Sequence, residues 1–327
     1  MRPPLMQFLW QRYRELISPA ATLATEPLLD SATLDQLRLR TQSATRPPIA
    51  FQLTSAHQLI GEQLSYYRGR GLEFEENRKY QTGDEPRLIN WRLYARTGEL
   101  YSKVFNEERR PEVYLVADRR ASMRFGTRGQ LKAAQAAKII ATVLFQAQRQ
   151  ALAVGGIIIN ESVDWFAPVA ANAASLDFLH SLALPCPPIP FDTPEPDLNA
   201  VFSMLLDRVP QGSHILCVSD FTDLDTDKSA SLLHQLNQRH HVDAVLIRDP
   251  GEVELGAHGT LLLDDPGTDE PIRIDGRNPE LRARYQQEVA QQQSRIASIF
   301  QMAGIPLEIC STEDETDNCV PGSHGRQ

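Results

Sequence analysis

The residues best equipped for chemistry lie in two short runs, "DRRASM" at 118–123 and "DFTD" at 220–223. Asp118 and Ser122 offer hard oxygen ligands, and Asp220 and Asp223 add two more carboxylates. Such donors suit a small divalent cation like magnesium, which wants oxygens at about 2.0–2.1 Å. Arg120 stands between Asp118 and Ser122 and changes that reading. A guanidinium has no acceptor to give a metal, and its fixed charge repels one. It can instead hold a carboxylate by two parallel hydrogen bonds. Two arrangements are open: Arg120 substitutes for the metal by pairing with Asp118 or Asp220, or it swings outward and leaves a weak magnesium site. A blander role, capping the turn after a strand, is open to Asp118 and Ser122 as well.

The elements that position these residues follow from the apolar pattern. "EVYLVAD" (112–118) and "HILCVSD" (214–220) are short, apolar and β-branched, which predicts buried strands ending at Asp118 and Asp220. "ALAVGGIIIN", "VDAVLIRD" and "PLEICST" predict further strands. Helices are predicted over 129–150, through "SLDFLHSLAL", over "DLNAVFSMLLDRV" with Asp197 as cap, over "KSASLLHQLNQR" and over 279–303. The last carries Leu281, Tyr285, Val289, Ile296 and Phe300 on one stripe and stops at Gly304. Strands alternating with amphipathic helices predict a mostly parallel sheet covered on both faces. Ligand sites in such sheets lie at the carboxyl ends of the strands, so Asp118 and Asp220 should share one edge.

Outside this core, residues 1–50 predict a helical extension, with a second helix capped by Ser31 or Thr33. Residues 51–110 are punctuated by glycines and predict short strands and turns. Residues 256–276 predict a β-hairpin insertion, and the acidic segment 313–327 predicts a disordered tail.

Composition narrows the function. A net charge of −9 argues against a general nucleic-acid binder, which wants a basic face. No apolar run approaches the eighteen or so residues of a membrane span, and the N-terminal patch is broken by prolines and Gln7, which predicts a cytoplasmic chain without a signal peptide. The four cysteines form no C-x-x-C pair and predict reduced thiols, with no disulfide or zinc framework. "DFTDLDTDKS" lacks the glycine and terminal glutamate of an EF-hand. No nucleophile elbow, phosphate loop or H-E-x-x-H motif occurs, so no catalytic residue and no cofactor is assigned.

The strand-loop arrangement resembles the von Willebrand factor A fold, whose metal-ion-dependent adhesion site uses D-x-S-x-S after the first strand. Carried over, Asp118, Ser122 and Asp220 match metal ligands, while Arg120 occupies the first serine position. The fold's threonine falls near Pro196 or Asp197, with Thr193 within reach of a shifted loop. A second, more specific resemblance lies at 69–108. Gly83, Asp84, Glu85, Arg87, Ile89, Trp91, Ala95 and Arg96 are similar to the signature of the bacterial domain-of-unknown-function 58 family. These residues either hold the segment by an ion pair and a packed indole, or contact a partner. The combined resemblance implies a small β-rich segment at 51–110 and a von Willebrand A-like domain at 111–312. It implies a non-enzymatic adaptor of a MoxR-type AAA+ ATPase, and of client proteins, in a chaperone-like assembly. Partner binding would then use Arg120, Asp118, Ser122, Asp220 and Asp223, with an exposed Arg120 pairing directly with a partner carboxylate. The alternative is a metal-dependent hydrolase using the strand-end carboxylates.

Overall fold

The computed structural model describes residues 25–43, 72–81, 84, 86–107, 111–127, 129–170, 175–187, 189, 193–253, 260–263, 272–275 and 277–322. The expected first N-terminal helix lies outside these. The chain divides into two units, 53–110 and the remainder.

The larger unit is a mixed α/β structure around a six-stranded sheet. Its strands are β3 (Val113–Asp118), β4 (Ala153–Ile159), β5 (Val163–Ala170), β6 (His214–Ser219), β7 (His241–Arg248) and β10 (Leu307–Ser311), in the order β10-β7-β6-β3-β4-β5. All neighbours are parallel except β5, which runs antiparallel to β4. Helices cover both faces. On one lie α1 (Ser31–Ser43), α3 (Lys132–Arg149) and α4 (Ser175–Ala183); on the other lie α5 (Leu198–Arg208), α6 (Thr226–Arg239) and α8 (Pro279–Ala303). Strand β3 shows why its sequence is apolar throughout: Val113, Leu115 and Ala117 enter one core, Tyr114 and Val116 the other. Each fully buried Leu or Ile of these cores contributes roughly 1.5–3 kcal/mol. Gly156 of β4 is required by packing, because a Cβ there would run into the Phe178 ring of α4. Two antiparallel strands, β8 (Thr260–Leu263) and β9 (Ile272–Asp275), form the expected hairpin within 256–276.

The smaller unit pairs β1 (Leu72–Lys79) with β2 (Tyr101–Glu107). Between them lies a helix, α2 (Trp91–Thr97), where only strands and turns were expected. Local caps explain it. The Asn90 side chain accepts from the Leu93 N–H, and Gly98, at φ 72°, closes the C-terminus. A left-handed residue there favours glycine.

Three further expectations are corrected. Helix α1 is capped by Asp30, which accepts from the Thr33 N–H at 2.7 Å, rather than by Ser31 or Thr33. Residues 313–322 are ordered: a short helix α9 (Thr316–Cys319) follows β10, and Glu315 pairs with Arg40 at 3.0 Å. Cys310 and Cys319 form a disulfide, because the turn after β10 brings the chain back beside its last strand. Cys186 and Cys217 are free and buried, and burial pushes the Cys217 thiol up to about 12.

Two buried histidines, His214 at the start of β6 and His240 at the end of α6, lie at the opposite end of β6 from Asp220. Burial, then the neighbouring His241 for His214 and Arg239 for His240, pushes each down to about 4. Between about pH 6.5 and 4 the unfolded chain therefore binds more protons than the folded one, and stability falls as pH is lowered through that window. At pH 5 each histidine should have cost about 1–2 kcal/mol relative to pH 7. Urea denaturation at the two pH values measures this loss, and His240→Leu should remove about half of it.

Candidate functional site

Strands β3 and β6 are parallel neighbours, with Ala117 opposite Val218, so their ends come out side by side. The chain leaves β3 for β4 on one flank and returns to β6 on the other, which makes this edge the switch point of the sheet. Asp118 and Asp220 both sit there, and both are buried.

Asp118 is held from three directions. The Ser219 hydroxyl donates to its Oδ2 at 2.6 Å, and the Arg120 amide donates to its Oδ1 at 3.0 Å. The Arg120 side chain then clamps both oxygens, Nε to Oδ1 at 3.0 Å and Nη2 to Oδ2 at 2.8 Å. Its far edge does the same to Asp223, with Nη1 to Oδ2 at 2.6 Å and Nη2 to Oδ1 at 3.1 Å. The remaining Nη1 hydrogen goes to the Pro196 carbonyl at 3.1 Å. A guanidinium has five N–H donors, and all five are used. Burial by itself would lower the Arg120 pKa; Asp118 and then Asp223 outweigh it and raise it. The neighbours in the loop are also consumed internally. Arg119 donates to the carbonyls of Ser181, Leu184 and Pro185, and Arg124 to those of Arg119 and Pro187 and to Glu161.

Asp220 is neutralised by a residue that sequence reasoning missed. Lys132, the fully buried first residue of α3, places Nζ 2.6 Å from Asp220 Oδ2 and 2.7 Å from Glu252 Oε1. Ser122 and Thr222 hydroxyls donate to Asp220 Oδ1 at 3.1 and 3.2 Å. The sequence did carry a signal for Lys132. A cation in a helix's first turn opposes the helix dipole, so its presence there calls for an anionic partner. Glu252, in the short helix α7 (Pro250–Val253), and Asp249 just before that helix extend the cluster. Asp249 is buried at the end of β7 and accepts from Thr127, Gly251 and Thr312.

The geometry therefore brings together Asp118, Arg120, Ser122, Asp220 and Asp223, with two changes to the expected pairing. Arg120 joins Asp118 to Asp223, not to Asp220, and it is buried, so it is not an exposed handle for a partner carboxylate. The residues at the expected threonine position do other work: Pro196 supplies its carbonyl to Arg120, and Asp197 caps α5 through the Asn199 N–H at 2.9 Å. Among the described residues, no hydrogen bond joins Thr193 to the cluster. A divalent cation does not fit this donor set. Both oxygens of Asp118 face a guanidinium, and an ammonium lies against Asp220, so a cation would meet two fixed positive charges. Among the described residues, the cleft bordering Asp220 and Glu252, also lined by Arg248 and Gln293, encloses only about 40 Å³.

Residues 76–295 match the family described as "Protein of unknown function DUF58". The chain belongs to the DUF58 family. Its relatives include "Uncharacterized protein Mb1516" of Mycobacterium bovis and "Uncharacterized protein Rv1480" of Mycobacterium tuberculosis. Each is 27% identical over 251 residues, covering 76% of this chain and 77% of the relative. Among solved structures, the conserved hypothetical protein BatB from Bacteroides thetaiotaomicron aligns at 12% identity and a TM-score of 0.34, over 60% of this chain and 100% of that one. An aerotolerance-related membrane protein from Bacteroides fragilis aligns at 15% identity and 0.32, over 60% and 99%. Among the described residues of this DUF58 chain, no helix is long and apolar enough to cross a membrane.

The family-signature residues lie in the smaller unit. Asp84 pairs with Arg78 at 2.7 Å and accepts from the Gln81 N–H, and that backbone bond, partly offset by desolvation and aided by Arg78, holds its carboxyl below the usual range. The expected ion pair is thus made by Asp84 with Arg78, while Arg87, Trp91 and Arg96 are exposed and the indole is not packed. Gly83 lies outside the described residues.

Proposed function

We propose that this DUF58 chain is a non-enzymatic, protein-binding adaptor of a MoxR-type AAA+ ATPase in a chaperone-like assembly. Its α/β unit is read as a von Willebrand A-like domain whose adhesion site works without metal. The observation that carries this reading is the saturated Arg120 fork, which occupies the first serine position of the D-x-S-x-S pattern and ties Asp118 to Asp223. Such a buried cluster, with Asp118 and Asp220 already paired to cations, builds a fixed loop face. Partner contact then falls to the rim of the site: Ala121, Ser122, Thr222, the exposed part of Asp223, and Glu195, which accepts from the Ala121 N–H at 2.6 Å.

The test is crosslinking of the tagged chain in its native cells with ATP present, followed by mass spectrometry of the captured proteins. An AAA+ ATPase should be enriched with the wild type and lost with Ser122→Arg. Failure of the wild type to capture any AAA+ ATPase would overturn the reading.

A further inference from the structure

The smaller unit carries an exposed surface that the strand-end reading does not use. On α2, Trp91 is 60% and Tyr94 42% exposed, and the two rings meet edge to face at 6.1 Å. Residues 86–98 contain Arg87, Arg92 and Arg96 and no acidic residue, in a chain whose net charge is −9. All three arginines are exposed, and none has a carboxylate partner among the described residues. Their neighbours behave differently: Arg78 pairs with Asp84, and Lys79 with Glu99.

The helix is also tied down by local contacts. A seven-residue helix is far too short to persist alone. It is fixed by the Asn90 cap, by Asn90 Nδ2 donating to Asn77 of β1 at 2.8 Å, by the Gly98 closure, and by a bridge between Ile89 and Ser102 of β2. Helical spacing puts Trp91 and Tyr94 on one stripe and Arg92 with Arg96 on the next. Leu93, the least exposed residue of the helix, lies on the opposite side.

We propose that α2 and the turn before it form a docking surface for an acidic protein segment with an apolar anchor residue. Trp, Tyr and Arg are the residues that dominate binding energy at protein interfaces. Guanidinium forks bind carboxylates in pairs of parallel hydrogen bonds, and a surface held in place loses little entropy on binding. Charge complementarity selects the acidic partner. A nucleic acid also suits aromatics and arginines, but three arginines neutralise few phosphates, too few to hold a long polyanion by its backbone.

The experiment uses the purified full chain and short labelled peptides in which glutamates, lysines or serines surround the same central leucines, with single-stranded oligo-dT as a further probe. Fluorescence anisotropy should show the glutamate peptide binding at least about tenfold more tightly than the others, and weakening as salt is raised. Trp91→Ala should weaken it by roughly ten- to thirtyfold. The double variant Arg92→Glu/Arg96→Glu changes only exposed side chains, keeps the fold by circular dichroism, and should switch preference to the lysine peptide. Equal binding of the three peptides, or unchanged glutamate binding by both variants, overturns the proposal. Tighter binding of oligo-dT would assign the surface to nucleic acid instead. A concentration-dependent dimer that Trp91→Ala abolishes would assign it to a second copy.

Discussion

Replacing Lys132 by Met should destabilise the protein by about 3–5 kcal/mol, the usual cost of removing one partner from a buried ion pair. The methionine keeps most of the aliphatic volume, so the loss reports on charge rather than on a cavity. Lys132 is wholly inaccessible, and its ammonium lies between Asp220 and Glu252 at 2.6 and 2.7 Å. Without it two buried carboxylates face each other across the vacated position. For a domain of this size each kcal/mol moves Tm by roughly 2–4 °C, so the expected fall is about 6–20 °C. The penalty should shrink as the pH is lowered, because a proton can then stand between the carboxylates. That trend opposes the wild type, whose buried histidines make it less stable in acid. Calorimetry of both proteins at pH 7 and pH 5 separates the two effects. Asp220→Asn should recover part of the loss in the Lys132→Met background, and a strictly additive double mutant would show that the pair is uncoupled.

What the sequence disclosed depended on whether a signal was local. The runs ending at Asp118 and Asp220 announce buried strands by their unbroken β-branched and apolar residues, and strand polarity then puts both carboxylates at one edge. Helix α8 is marked by its apolar stripe and by Gly304, the left-handed residue at which it ends. Pairings between distant segments were less accessible. Arg120 has Asp118 two residues away, but whether its second fork meets Asp220 or Asp223 depends on the turn after β6, where Phe221 takes a positive φ of 51°. Lys132 lies 88 residues from Asp220, and only the fold joins them. The Cys310–Cys319 bridge escaped for a related reason: an acidic composition suggested a solvated tail, while the turn after β10 folded it back. Helix α2 was hidden by the glycines around it, one of which is the residue that ends it.

Arg120→Ser rewrites the loop as D-x-S-x-S and tests whether the arginine alone stands in the way of a metal. We expect that it does not. The variant loses the clamp on Asp118 and Asp223 and should be less stable by about 3–5 kcal/mol, although Asp118 retains the Ser219 hydroxyl and the backbone amide at position 120. Magnesium should return little of this, because the Lys132 ammonium still occupies Asp220. Combining Arg120→Ser with Lys132→Gln removes both positive charges from a cluster that keeps Asp118, Asp220, Asp223 and Glu252. There a divalent ion has oxygens to bind and no cation to displace. With a Kd of ~1 mM, ~10 mM magnesium would stabilise the double variant by about 1.4 kcal/mol. The wild type should show no magnesium-dependent change in Tm at all. A rise in the wild-type Tm that Asp118→Ala abolishes would mean that the guanidinium leaves Asp118 on metal binding. The arginine would then act as a gate to the site rather than as its permanent counter-charge.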